Sequence, residues 1–103
     1  MLDKTTVINT IEQYAAAVAK EFDPAAVVLY GSHAKGMAHE DSDIDVAVIF
    51  NGFSGDWLTV ASSLWRIAEN ISLSIEPVLL DRTQDKSGFA DNILKTGYMV
   101  YTK

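Results

Sequence analysis

Apolar positions recur along the chain in two rhythms, and the changes between them mark the elements. From about Leu2 to Phe22, Val7, Ile8, Ile11, Tyr14, Ala15, Val18 and Phe22 return at steps of three and four, the pattern of one helix face. Asp3, Thr5 or Thr6 is expected to cap this helix, and Asp23-Pro24 to stop it, because the residue before proline disfavours helical conformation. Ala26 to Tyr30 is a continuous apolar run, expected of a central strand buried on both faces. Gly31-Ser32 then breaks the run, a short helix from Ser32 to about Lys35 should follow, and Gly36 should end it. A loop leads to a second strand, Ile44 to Phe50.

After the turn cluster 51–55, Trp57, Ala61, Leu64, Trp65, Ala68 and Ile71 repeat at helical spacing, which reads Trp57 and Trp65 as core anchors. Leu73 to Leu80 is a third strand. Pro77 lies inside it and cannot donate to a ladder, so this strand belongs at a sheet edge, a weak hint of association. A polar stretch to about Ser87, a short helix from Phe89 to Lys95 ending near Gly97, and a last strand from Tyr98 to Tyr101 complete the chain. The reading is of one α/β (α+β) domain over 1–103, a small mixed sheet of three to four strands packed by helices.

Composition narrows the class. At 103 residues, 49% hydrophobic and 21% charged, the chain suits one soluble domain, with no apolar run as long as a membrane span and no signal-peptide pattern. Zero Cys removes disulfides and thiolate metal sites, so cytoplasm is the expected location. A net charge of −6, with eight scattered basic residues, argues against extended contact with nucleic-acid phosphates. A protein partner suits this balance better.

The chemistry concentrates between residues 26 and 50. In a strand alternate side chains share a face, so Asp43 and Asp45 stand together where the second strand begins. Two unit charges about 4 Å apart repel by roughly 4 kcal/mol at an effective dielectric near 20. Water or a cation must relieve that repulsion, and Mg²⁺ held by one or two carboxylates together with substrate phosphates is the natural candidate. Gly31 allows a close backbone approach, and the N–H groups after Ser32 would face a phosphate. Taken alone, 41–43 would read as a solvated turn; in this company the metal site is favoured.

Gly31-Ser32, ten residues, then Asp43-x-Asp45 resembles the signature of the DNA polymerase beta nucleotidyltransferase superfamily, and most nearly its minimal nucleotidyltransferase (MNT) branch. Four residues at these fixed offsets would arise by chance in such a chain on the order of once in a thousand. Ala34, Gly36, Ser42 and the strand from Ile44 to Phe50 also fit the family's run. The resemblance implies a polymerase beta-like fold, with Gly31 and Ser32 on the phosphates and Lys35 and Ser42 at the nucleotide. Asp43 and Asp45 would hold two Mg²⁺ ions, with Glu76 as third carboxylate where the family more often has Asp, and Asp81 as fallback. His33 and Lys35 stand where the family often shows Arg, which implies a looser hold on phosphate. A zinc site of His33 and His39 is not expected.

The MNT branch often works beside HEPN proteins, which resemble RNases, in toxin-antitoxin pairs. The expected activity is therefore Mg²⁺-dependent transfer of AMP from ATP onto a HEPN-type toxin that silences it. The alternative is an antitoxin module that binds nucleotide or partner without turnover; transfer to a small molecule such as an antibiotic ranks third, since it usually needs a second domain. The sequence leaves open whether the chain forms a homo-oligomer, and whether Arg66 and Arg82 face an anion.

Overall fold

The computed structural model describes residues 4–31, 33, 34, 36, 43–52 and 55–103. Among them, helix α1 (Lys4–Glu21) precedes strands β1 (Ala26–Tyr30) and β2 (Ile44–Phe50). Helix α2 (Trp57–Ile71), strand β3 (Ile75–Asp81), a 3-10 turn (Arg82–Gln84), helix α3 (Phe89–Thr96) and strand β4 (Tyr98–Thr102) follow. The strands form one mixed sheet in the order β3-β2-β1-β4. β1 pairs antiparallel with β2 and β4, whereas β2 and β3 run parallel because α2 carries the chain back between them. This is the α+β architecture of the polymerase beta-like fold. No described helix is long and apolar enough to cross a membrane.

Strand alternation divides the core between the two sheet faces. Val27, Leu29, Val46, Val48 and Ile75 meet Val7, Ile11, Tyr14 and Val18 of α1 and Leu64 and Ala68 of α2. On the other face Ala26, Val28, Ala47 and Ile49 meet Ile93 of α3. β1 is thus buried on both sides, as its unbroken apolar run requires. Tyr14 ties the helical layer together: its hydroxyl donates to the Leu64 carbonyl at 3.1 Å, and burial pushes its pKa up. Tyr14→Phe keeps the ring and loses that bond, so a cost of about 1 kcal/mol is expected, seen as a Tm lower by about 5 °C.

Several expectations move. Thr5 and Thr6 lie within α1, and Asp3 lies outside the described residues. Between residues 32 and 35 the described positions His33 and Ala34 form a turn, closed by Gly36 N–H donating to the His33 carbonyl. Gly31 and Gly36 flank it at φ +77° and +72°, and the ends of the expected helix, Ser32 and Lys35, lie outside the described residues.

Trp57 and Trp65 are not core anchors: they are 44% and 42% exposed. α2 lies over β3, the sheet's edge; Leu64 and Ala68 point inward, while Trp57 and Trp65 overhang the border where the sheet ends. β3 starts two residues later than expected, leaving Leu73 88% exposed in the preceding turn. Its edge position is the one Pro77 demanded.

Candidate functional site

The register of three strands builds the site. Tyr30 at the end of β1 pairs with Asp45 of β2, and Asp45 pairs with Glu76 of β3, so the three form a row across one face of the sheet. Asp43 joins the same side two residues before Asp45. Farther along that face α3 covers Ala26, Val28, Ala47 and Ile49, and the carboxylates lie at the end beyond them. Gly31 follows Tyr30 directly. A Cβ there would collide with the Asp45 carboxylate, so glycine serves both the positive φ and this close approach.

The carboxylates repel one another. Asp43 beside Glu76 raises the Glu76 pKa, with burial, Asp45 and a side-chain hydrogen bond to Asp43 adding to the effect. Burial, then Asp43, raises the pKa of Asp45, while His33 opposes the rise. Burial raises the Tyr30 hydroxyl too, helped by Asp45 and Glu76. The Tyr30 ring meets Phe89 edge to face, centroids 6.0 Å apart, and so links the row to the start of α3.

Asp43, Asp45 and Glu76 offer oxygen atoms only, the donor chemistry that suits Mg²⁺, and a divalent cation would remove their repulsion. Among the described residues no three such side chains are already gathered around an ion position; Asp43 and Glu76 are joined to each other instead. The folded-state pKa values of Asp45 and Glu76 lie above their unfolded ones, so the folded state holds more protons in that interval. Stability of the metal-free chain should therefore fall as pH rises from the ordinary carboxylate range through the raised values. Glu76→Gln should flatten that fall, which thermal melts of both proteins from pH 4 to pH 8 in chelator would reveal.

The structure thus brings together Gly31, Asp43, Asp45 and Glu76. Ser32, Lys35, Ser42 and His39 lie outside the described residues. Asp81 is no substitute for Glu76. It pairs with Phe50 at the far end of β3, about 16 Å away at the usual strand rise. There its carboxylate accepts from Thr83 N–H at 2.9 Å and Gly52 N–H at 3.1 Å. Arg82 forms an ion pair with Asp91 at 3.4 Å, and Arg66 donates to the Ser63 hydroxyl at 3.0 Å. Tyr30, Phe89 and the influence of His33 on Asp45 were not read from the sequence. Only Tyr30 left a signal there, as the strand residue abutting Gly31.

The sequence matches the family described as Polymerase beta, Nucleotidyltransferase over residues 9–103. The chain belongs to the polymerase beta nucleotidyltransferase family. Within it the fold is that of an MNT domain. A Sulfolobus solfataricus protein considered a nucleotidyltransferase superposes with a TM-score of 0.71 at 20% identity, covering 97% of this chain and 84% of its own. A toxin-antitoxin solved with AMP-PNP gives 0.63 at 19% identity, covering 89% and 73%. A mutant of the toxin-antitoxin MntA-HpeT gives 0.60 at 16%, covering 99% and 75%. No curated protein sequence matches this nucleotidyltransferase at a significant level.

Proposed function

We propose that this nucleotidyltransferase is a single cytoplasmic domain that moves AMP from ATP onto a protein, a HEPN-type RNase toxin, and so acts as its antitoxin. The observation that carries the reading is the row of Asp45 and Glu76, with Asp43 beside it, next to Gly31, where a Cβ would meet the Asp45 carboxylate. That two relatives of similar fold are toxin-antitoxin proteins, one holding AMP-PNP, supports the choice of partner and nucleotide.

Gly31 and Ser32 hold the β- and γ-phosphates, and Lys35 and Ser42 flank the nucleotide. Asp43, Asp45 and Glu76 would hold Mg²⁺, two ions on this reading, which would neutralise phosphate charge and acidify the acceptor hydroxyl. The acceptor oxygen attacks the α-phosphorus and forms a new P–O bond. The bond from that phosphorus to the bridging oxygen breaks, pyrophosphate leaves with the electron pair, and the hydroxyl proton passes to Asp45 or Glu76. Positioning supplies most of the remaining rate.

The test is to incubate the chain with Mg²⁺, ATP and the HEPN-type product of its neighbouring gene, and to record that protein's intact mass. A gain of whole AMP units is expected. No gain, with a stable complex and an inhibited toxin, replaces transfer with neutralisation by binding alone.

A further inference from the structure

The row of site residues has a direction. Gly31 and the phosphates belong to the β1 side, Asp45 to the middle and Glu76 to β3, beyond which the sheet ends. On the protein-transfer reading, an oxygen that attacks opposite phosphates held at Gly31 comes in from the β3 side.

That edge is not flat. Trp57, Ala61 and Trp65 of α2 stand beside Pro77 and Leu79 around a hollow of about 210 Å³. Trp57 and Leu79 also wall a neighbouring cavity of about 590 Å³ that reaches Lys86 and Phe89. The far wall of the cavity, Phe89, touches Tyr30 in the site row. The two hollows share Trp57 and Leu79 as walls and together form a groove around the edge of β3, whose Phe89 wall is the part that meets the site row.

We infer that this groove along the free edge of β3 seats an apolar, basic-flanked segment of the protein acceptor and delivers its hydroxyl to the site. The inference rests on the protein-transfer reading. Charge favours such a segment: Asp81 and Asp85 line the cavity against one lysine, Lys86, and Asp56 caps α2 beside Trp57, on a chain of net charge −6. The same charge disfavours a second copy of this chain.

Side chains, rather than strand addition, hold the segment. Ile44 N–H donates to the Ser74 carbonyl, so by alternation Glu76 and Val78 turn their backbone groups to β2, while Ile75, Pro77 and Leu79 turn theirs outward. The middle outward position is proline, which offers no N–H to an incoming strand. Aromatic side chains half open to solvent are the usual anchors of such contacts.

The test uses the full chain and the HEPN-type product of its neighbouring gene. Trp57→Ala/Trp65→Ala and, separately, Trp65→Lys are compared with the wild type for acceptor Kd by calorimetry, ATP binding, and the acceptor KM and kcat of transfer. Both variants should weaken the acceptor Kd and raise its KM by at least about tenfold, with ATP binding and kcat at saturating acceptor retained. Unchanged Kd and KM in both variants overturns the groove while leaving transfer intact. No complex with the wild type, or a self-association that the variants abolish without touching acceptor binding, also overturns it. Binding lost in the variants with no transfer by the wild type keeps the groove and removes the transfer reading instead.

Discussion

Replacing Asp43 and Asp45 together by asparagine is expected to lower AMP transfer by about a thousandfold or more, to background in an intact-mass assay. The amides keep the shape and hydrogen-bonding capacity of the carboxylates but cannot neutralise a cation or accept the acceptor's proton. The fold should survive, because β2 is held by Ile44, Val46, Val48 and Ile49, all buried, while Asp43 is exposed and Asp45 only half-buried. In the absence of metal the variant should melt no lower than the wild type, since the substitutions remove the repulsion that raises the Asp45 and Glu76 pKa values. A lost activity with an unchanged or higher Tm is the combined signature. Full activity in the double variant would exclude these carboxylates from the chemistry.

Gly31→Ala should have the next largest effect, and it acts on stability and transfer together. The backbone sits at φ +77°, where an L side chain costs about 1–2 kcal/mol, and the added Cβ would strike the Asp45 carboxylate. Asp45 must swing away from its place in the row, and a displacement of about 1 Å is enough to cost about a hundredfold in rate. A stability loss of about 2 kcal/mol is expected in urea melts. Gly36→Ala provides the control: its φ of +72° carries a similar backbone cost, but among the described residues no atom lies within 4 Å of the new Cβ. The excess loss at Gly31 over Gly36 measures the contact with Asp45, and equal losses would refute that contact.

Much of this arrangement was legible in the sequence, for identifiable reasons. β1 and β2 have the expected limits because each is an apolar run bounded by residues that cannot extend it: Gly31 after Tyr30, and Asn51-Gly52 after Phe50. Pro77 announced a sheet edge because a missing N–H is a local fact with a global meaning. The place of Asp43 and Asp45 on one face followed from strand alternation alone.

What was not legible depended on how elements meet. Helical spacing put Trp57 and Trp65 on the apolar face of α2, but whether that face finds a floor depends on the width of the sheet beneath it. Asp81 and Glu76 are both acidic residues of β3, and only the pairing of Asp45 with Glu76 and of Phe50 with Asp81 separates a site residue from a loop cap. Tyr30 and Phe89 are far apart in sequence, so their contact belongs to the docking of α3 on the sheet.

Pro77 also bears on how this chain survives at high concentration. Cross-β fibrils grow by adding strands to an open edge, each new layer held by a full ladder of N–H donors. β3 has such an edge, flanked by exposed tryptophans that would favour the first sticking collision. A gap in the ladder at its centre leaves any added strand short of a bond in every layer, so collisions there stay reversible. The residue that shapes one side of the groove in this way also weakens an open, aromatic-lined edge as a template for added strands.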